Sequence, residues 1–444
     1  MTSRVKIRLG YFKNALFGFL GFLIPTIVTF VAYRVLVAGL GETGFGVYLI
    51  ATSIGGAMAF MDMGISSANI KFVAEDVSSA LNGNRIASLI WTSAAFYGVI
   101  GLIMTVASFL LAPWLYEFFK LPDAWKTDST ELFTLAALQV GVLLVSNVFV
   151  GVLKAMGRFD LGAAASMLAP IFSLGGGAIG IYFEFFSLIG LVWSGVLGSL
   201  LGLTLGVLLS VKVCRRQGIK IMHSGPTVVA FKRMFQFSAI LTFHTLASIF
   251  FSQIQRLLIG WSLGAASVGI FQFPYMALSK VHALLNAGSE FLYPEASANN
   301  NLLDIRKLYL KVFIGVAISA LCCFGFIVVF REVIFGLWLG DDVASKVAPL
   351  VLPLSAAFFF VVLSIPAHHM LNGMGKPIWN VYYSLCNVFV YLSVLFFLND
   401  TGLSLKDFAI AFMVSNVVVG AIFQIVIEFF VWPFWLKSAS ESNA

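Results

Sequence analysis

The chain has 444 residues, of which 60% are apolar and only 11% charged, with a mean hydropathy of +0.98. Ordinary soluble domains carry about 25% charged residues, so this composition excludes a water-soluble globular fold and leaves a polytopic membrane protein. A formal net charge of +7 points to nucleic acid only in a soluble chain; here the sidedness of the basic residues accounts for it first.

Stretches long enough to cross a hydrocarbon core of about 30 Å recur along the whole chain. The first covers residues 15–37; it is a full span with no small-residue cleavage site behind a short apolar core, so it reads as a retained helix rather than a signal peptide. Pro25 lies next to its midpoint, where a missing N–H bends a helix, and reads either as a conformational hinge or as a fixed kink filled by packing. Spans at 44–61, 87–111, 132–153, 161–182 and 187–211 complete a first set of six. A second six follows at 237–261, 266–285, 308–330, 347–371, 377–398 and 408–430. The prediction is an all-α polytopic membrane protein with about twelve transmembrane helices. These form an N-terminal six-helix lobe (1–211), a basic cytoplasmic linker (212–236) and a C-terminal six-helix lobe (237–444).

Of the 27 Lys and Arg, 19 fall on the linker's side of this map and five on the other. The positive-inside rule then makes both termini cytoplasmic. The linker reads as a topogenic segment drawn to anionic lipid, with partner docking as the other reading. Cys214 is in that linker, and Cys322, Cys323 and Cys386 are within spans, so no disulfide or metal framework is implied.

The two halves repeat. RVLVAGLGETGFGVYLI begins at Arg34 and RLLIGWSLGAASVGIFQF at Arg256, 222 positions later, with Leu40-Gly41 over Leu263-Gly264. LKAMGRF at Leu153 recurs as LNGMGKP at Leu371, 218 positions later. Six helices followed by six in the same orientation is a parallel repeat, the architecture of a secondary transporter. Gly39-Leu-Gly-Glu-Thr-Gly44 satisfies the dinucleotide fingerprint in letters, but it lies between two spans with no strand before it, so it reads as a tight helix-to-helix turn. Gly198, Gly202 and Gly206 recur every four residues, a spacing that lets another helix approach closely.

Three cations, Arg34, Arg256 and Lys280, fall inside spans. An arginine at a helix centre costs about 2.5 to 3.5 kcal/mol on insertion scales, so it faces a cavity or a partner, or else snorkels to the interface. Thr245, Ser252 and Arg256 share a helical face with Gln253 beside them and His244 close by; Gln139, Ser146 and Asn147 form a second stripe. Further stripes occur at Asn380, Ser384, Asn387 and Tyr391, and at Asn416, Gln424 and Glu428. Each stripe is open to two readings, interhelical hydrogen bonding or a wet wall; together they predict a wet interior. Its cations outnumber its anions, so it should favour an anionic substrate, and phosphate or pyrophosphate suits the arginine fork. His368-His369 reads as a packed or interfacial pair rather than a metal site. No nucleophile, base and orienter assemble from the sequence, so neither an enzyme nor a bound cofactor or metal is expected.

The segment from Arg34 through LGETGFGVYLIATSIGGAMAFMDMGISSANIKFVAE to Glu75, and LKAMGRFD ending at Asp160, resemble Wzx-type polysaccharide flippases of the multidrug/oligosaccharidyl-lipid/polysaccharide exporter superfamily. The resemblance implies a two-lobed carrier in the bacterial inner membrane. Its substrate would be an undecaprenyl-pyrophosphate-linked oligosaccharide, moved by alternating access for O-antigen, capsule or exopolysaccharide synthesis, alongside other polysaccharide assembly proteins. It implies Arg34 as a cavity residue. Arg256 and Lys280 follow from the repeat and the charge, with Gln253, Asn147 and His244 as glycan contacts. Three alternatives remain: a multidrug antiporter of the same superfamily, which needs a well-buried carboxylate; a membrane enzyme such as a glycan polymerase, which needs a catalytic constellation and a substantial outer loop; and a non-transporting scaffold, which would not require paired interior arginines.

Overall fold

In the computed structural model the backbone is described for residues 2–58, 65–78, 83–219, 221, 224–298, 301–376, 378–399 and 402–433; side chains are described for the same residues except 2–22, 54–58, 67, 78, 236–252, 294, 297 and 298. Among the described residues all regular structure is helical. Each predicted span falls on a helix. The first two share α1 (Thr2–Met58), whose backbone stays helical past Pro25 and leaves helical geometry at Gly41, with φ 71 and ψ 171. That region is essentially closed to residues with a Cβ, so Gly41 divides α1 into two arms. The edge-on contact of Tyr33 with Phe45, ring centroids 4.9 Å apart, pins the arms together across the break.

Next come α2 (Ile65–Ser78), α3 (Gly83–Phe118) and α4 (Ser129–Ala155). The fifth span is α5 (Phe159–Pro170), a π-helical turn (Ile171–Gly176) and α6 (Gly177–Tyr182), so the helix widens directly after Pro170. It is followed by α7 (Leu188–Arg216), α8 (Val228–Leu263), α9 (Ala265–Ser289), the short α10 (Leu292–Ala298), α11 (Leu302–Val329), α12 (Arg331–Leu339), α13 (Asp341–Gly373), α14 (Ile378–Leu398) and α15 (Leu405–Val426), which ends in a second π turn. Nine helical stretches among the described residues are long and apolar enough to cross a membrane. That number counts α1 once and does not take in α8, most of whose span lies outside the residues with described side chains, or α9, which carries Gln272, Lys280 and His282.

The repeat is visible in the backbone. Gly264, at the start of α9, has φ 82 and ψ 174, matching Gly41. Gly157 and Gly375 both have φ 71. After α4, Gly157 donates to the Lys154 carbonyl (2.9 Å) and Arg158 to that of Leu153 (2.8 Å); after α13, Gly375 donates to Asn372 (3.1 Å) and Lys376 to Leu371 (2.8 Å). Both are Schellman closures, which satisfy the last carbonyls of a helix through a left-handed residue.

The chain forms two compact units, Met1–Leu257 and Leu258–Ala444. In the first, α4 is central and packs against α1, α2, α3, α5 and α7. Glycines set its closest approaches: a Cβ on Gly101 of α3 would lie 2.8 Å from the Gly141 Cα of α4. On α7, a Cβ at Gly198 would meet Phe172 and the Ala169 carbonyl, and one at Gly202 the Ala165 carbonyl. Gly198 and Gly202 of the predicted stripe thus seat α5 and its π turn, whereas Gly206 faces Phe149 of α4. In the second unit α13 is central and packs against α9, α11, α12 and α15.

The connection after α7 is part of the first unit's core. Ile219, Ile221, Ala230 and Met234 are buried in a cluster with Ile90 and Leu89 of α3. Trp91 Nε1 donates to the Ile221 carbonyl (2.9 Å), Thr227 N–H donates to Thr92 Oγ1 (2.9 Å), and Ser88 shares a 2.6 Å hydrogen bond with Thr227. Asp76 of α2, 1% exposed, faces Arg85 Nε at 3.1 Å and Arg233 Nη1 at 3.3 Å. The Arg233 guanidinium also sits 4.1 Å from the Phe72 ring centroid.

Several polar stripes face inward between helices. On α14 the buried residues are Asn380, Ser384, Asn387, Tyr391 and Leu395, while Phe389, Phe396 and Phe397 are exposed. Asn380 Nδ2 donates to the Asn372 side chain (2.8 Å) and the His368 carbonyl (3.2 Å). Gln424 Nε2 donates to the Leu363 carbonyl (2.8 Å) and Gln424 Oε1 accepts from Tyr309 (2.9 Å); Glu428 pairs with Arg306 at 3.3 Å. Asn380, Gln424 and Glu428 thus fit the interhelical reading, whereas Asn387 and Asn416 donate to carbonyls of their own helices, Tyr383 (3.3 Å) and Phe412 (2.8 Å). His368 packs edge-on against Tyr383, and His369 shares a 3.2 Å hydrogen bond with Asn286.

Candidate functional site

The first arm of α1 buries Ala32, Tyr33, Leu36 and Val37. That leaves residues 24, 27, 31, 34 and 38 exposed at helical spacing. Ile24, Ile27 and Val31 are apolar, and Arg34 is the one charge on the stripe. It lies seven residues before Gly41, about 10 Å along the helix from the break. The cost of a guanidinium at that depth against hydrocarbon is relieved only by water or a polar partner.

Arg256 stands in the corresponding place, eight residues before Gly264. It is half-buried and donates from Nη1 to Ser53 Oγ, on the second arm of α1, at 3.4 Å. Its Nε and the Oε1 of Gln253, one turn earlier, are both buried without a hydrogen-bond partner among the described residues. A donor and an acceptor so placed form a small polar site that a ligand or ordered water would complete, since buried polar groups are otherwise paired. His244 is on α8, but its side chain lies outside the described residues, as do those of Thr245 and Ser252.

On α4 the predicted stripe splits. A Cβ on Gly195 would lie 2.5 Å from Gln139 Oε1, so Gln139 is packed into α7; Ser146 is buried. Asn147, one residue on, is the one exposed side chain between positions 132 and 153, all of which are described. A helix surrounded on nearly every side thus keeps a single opening and places an amide in it.

In the second unit, Lys280 is half-buried on α9, five residues beyond Tyr275. Tyr275 meets Phe358 edge-on at 5.2 Å and Phe412 at 5.9 Å, and the His282 ring lies 6.3 Å from Phe358. Gln272, 4% exposed, lies one turn before Tyr275 and has an Oε1 without a hydrogen-bond partner among the described residues. Sequence reasoning missed Gln272 and Ser53, because isolated polar residues between glycines and aromatics carry no periodic signal. Among the described residues the one buried carboxylate is Asp76, and it is held between two arginines.

Comparison with known proteins gives consistent results. A family model described as "Polysaccharide biosynthesis protein" matches residues 11–299. A Shigella flexneri protein named "Putative O-antigen transporter" is 21% identical over 389 residues, 87% of this chain and 90% of that protein. Among solved structures, an inward-facing multidrug resistance transporter of the MATE family in the MOP superfamily superimposes with a TM-score of 0.75 at 14% identity, covering 94% of this chain and 96% of its own. The lipid II flippase MurJ, in an inward closed conformation, gives a TM-score of 0.74 at 11% identity, covering 93% and 87%. The fold is therefore that of MATE and MurJ transporters, a two-lobed helical membrane architecture, and the chain belongs to the polysaccharide biosynthesis protein family.

Proposed function

We propose that this protein is a flippase that moves undecaprenyl-pyrophosphate-linked oligosaccharide repeat units from the cytoplasmic to the periplasmic face of the bacterial inner membrane by alternating access. Its product would feed surface polysaccharide synthesis. The observation that carries this reading is the match, over most of both chains, to a protein named as an O-antigen transporter, within a family described by polysaccharide biosynthesis. The arginines recurring ahead of Gly41 and Gly264 give it chemical content.

In this mechanism Arg34, Arg256 and Lys280 attract the pyrophosphate and neighbouring acidic sugars, the first two through planar forks suited to phosphate oxygens. Gln253, Asn147 and His244 contact the glycan. Pro25 acts as a hinge that alters how far Arg34 projects. The lobes are residues 1–211 and 237–444, with 212–236 joining them on the cytoplasmic side together with both termini. The substrate is moved without covalent change, and the lipid tail stays in the bilayer. Partners are the lipid-linked substrate, membrane lipids and other polysaccharide assembly proteins. Export of cationic drugs by the same fold would call for a buried, available carboxylate, and the occupancy of Asp76 by two guanidiniums disfavours it.

The decisive experiment is to deplete the protein from its native cells and determine the sidedness of lipid-linked repeat units together with surface polymer. Accumulation on the cytoplasmic face with loss of polymer is expected. Accumulation on the outer face would place the protein at polymerisation or later, and an unchanged glycan distribution would overturn the assignment.

A further inference from the structure

The second unit contains a cleft of about 780 Å³ between α12, α13 and α15. It lies where α11 ends and α13 and α15 begin, and so at the opposite end of these helices from Arg306 and Lys376. The volume falls within the range of small-molecule sites. Leu352, Pro349, Ile410 and Met413 supply an apolar wall, whereas Arg331, Lys406, Glu332 and Asp341 line the same cleft. Two cations and two anions therefore share one apolar-walled space, in which Arg331 Nη2 lies 3.9 Å from Glu332 Oε1 and Arg331 Nη1 donates to the Val328 carbonyl (3.1 Å).

The flanking helix α12 locates this cleft relative to lipid. It buries Phe335 and exposes Val333 and Leu337, one turn apart, next to exposed Val329 and Phe330 at the end of α11. Leu352, in the cleft wall, is also exposed. An apolar face of this kind at the end of a membrane-spanning bundle sits at the headgroup boundary. Charges lining a cleft there meet lipid headgroups, and the apolar wall meets the first methylenes of the acyl chains.

From this charge pattern we infer that the cleft binds a zwitterionic aminophospholipid, a phosphatidylethanolamine. Arg331 and Lys406 receive the phosphate, one as a planar fork and the other as a compact charge. Glu332 and Asp341 accept hydrogen bonds from the primary ammonium, which has three donors. Phosphatidylcholine satisfies the first pair but has no N–H for the second. Phosphatidylglycerol brings a net negative charge and no cation, leaving both carboxylates facing an anion. The site is separate from the proposed transport residues, and its test does not depend on them.

The test uses the purified full-length protein in detergent, titrated with mixed micelles of phosphatidylethanolamine, phosphatidylcholine or phosphatidylglycerol, with retained lipid counted by native mass spectrometry. Phosphatidylethanolamine should be retained about tenfold over the other two, the scale of one charge-assisted hydrogen-bond pair. Glu332→Gln with Asp341→Asn should erase its preference over phosphatidylcholine, whereas Arg331→Gln with Lys406→Gln should lower retention of all three. The single change Lys406→Gln, at an exposed position, keeps the test informative should the double variant fail to fold. Free phosphoethanolamine should not displace the bound lipid. Equal retention of the three lipids, retention unchanged by these substitutions, or full displacement by free phosphoethanolamine would each overturn the assignment.

Discussion

Gly41 and Gly264 lie in opposite halves of the chain and share one backbone conformation, φ 71 with ψ 171 and φ 82 with ψ 174. Each ends the helix that carries an arginine two turns earlier, so the glycine fixes where that arginine's helix stops. A Cβ in this region costs about 1–3 kcal/mol. Gly41→Ala and Gly264→Ala should each lower thermal stability in detergent by that order. Gly315→Ala on α11, where nothing lies within 4 Å, should be neutral or stabilising by about 0.5–1 kcal/mol, because glycine disfavours a helix interior. Equal effects at the three positions would contradict this account.

Asp76 ties α2, α3 and the start of α8 together through Arg85 and Arg233. Removing one member of a buried ion pair costs about 3–5 kcal/mol; here about 2 kcal/mol is expected, because Arg85 is half exposed and solvent screens it. Asp76→Asn should also make the 217–228 connection a site of limited proteolysis. An Asp76→Asn protein as protease-resistant there as the parent would show that the buried Ile219 and Ile221 hold the connection unaided.

Gly101 and Gly141 bring α3 and α4 into backbone contact. Gly101→Val inserts atoms where 2.8 Å is available, and overpacking of this kind costs about 1–3 kcal/mol or more. The loss should appear as a lower midpoint in thermal unfolding; no change would mean that the helices part without cost.

Asn147 and Asn387 occupy polar stripes of similar spacing, but the first is exposed and the second 1% exposed. After replacement of the four native cysteines, Asn147→Cys should react with a membrane-impermeant maleimide in at least one loading state, and Asn387→Cys should not. Labelling of both would restore the wet-wall reading for α14.

Arg34→Ala and Arg256→Ala, at parental abundance, should each lower surface polymer about tenfold or more, the order expected when a charge-assisted phosphate contact is lost. Arg→Lys should recover part of the activity at either site, since lysine retains the charge without the fork. Normal polymer in both alanine variants would remove the charge element of the proposed mechanism.

Much of this fold is legible in the sequence because lipid imposes helices of a set length. The twelve spans, the break at Gly41 and the paired closures at Gly157 and Gly375 all follow from apolar length and glycine placement. The docking of the 217–233 connection does not. Its Ile219 and Ile221 are two apolar residues among basic ones, and their burial depends on α3, over 100 positions away. Nor does periodicity alone separate the stripe of Asn380 and Asn387 from a cavity wall, because an amide bonded to the next helix and one bonded to water have the same spacing. The helices α2, α10 and α12 lie in the connections between the spans, where a hydropathy reading for membrane-crossing length finds no element. For the site, the repeat picks out Arg34 and Arg256, whereas Ser53 and Gln272 come into view only once their neighbours are known.

The inverted α14, amides inward and phenylalanines outward, also bears on how the protein is made. Inserted by itself, this helix would present Asn380, Asn387 and Ser384 to hydrocarbon, at a cost of several kcal/mol for each unpaired polar group. The partners of Asn380, His368 and Asn372, are on α13, and the main packing neighbour of α14 is α15. During synthesis α14 therefore has a reason to wait beside α13 until α15 emerges, so that these helices enter the bilayer as a group rather than in single file.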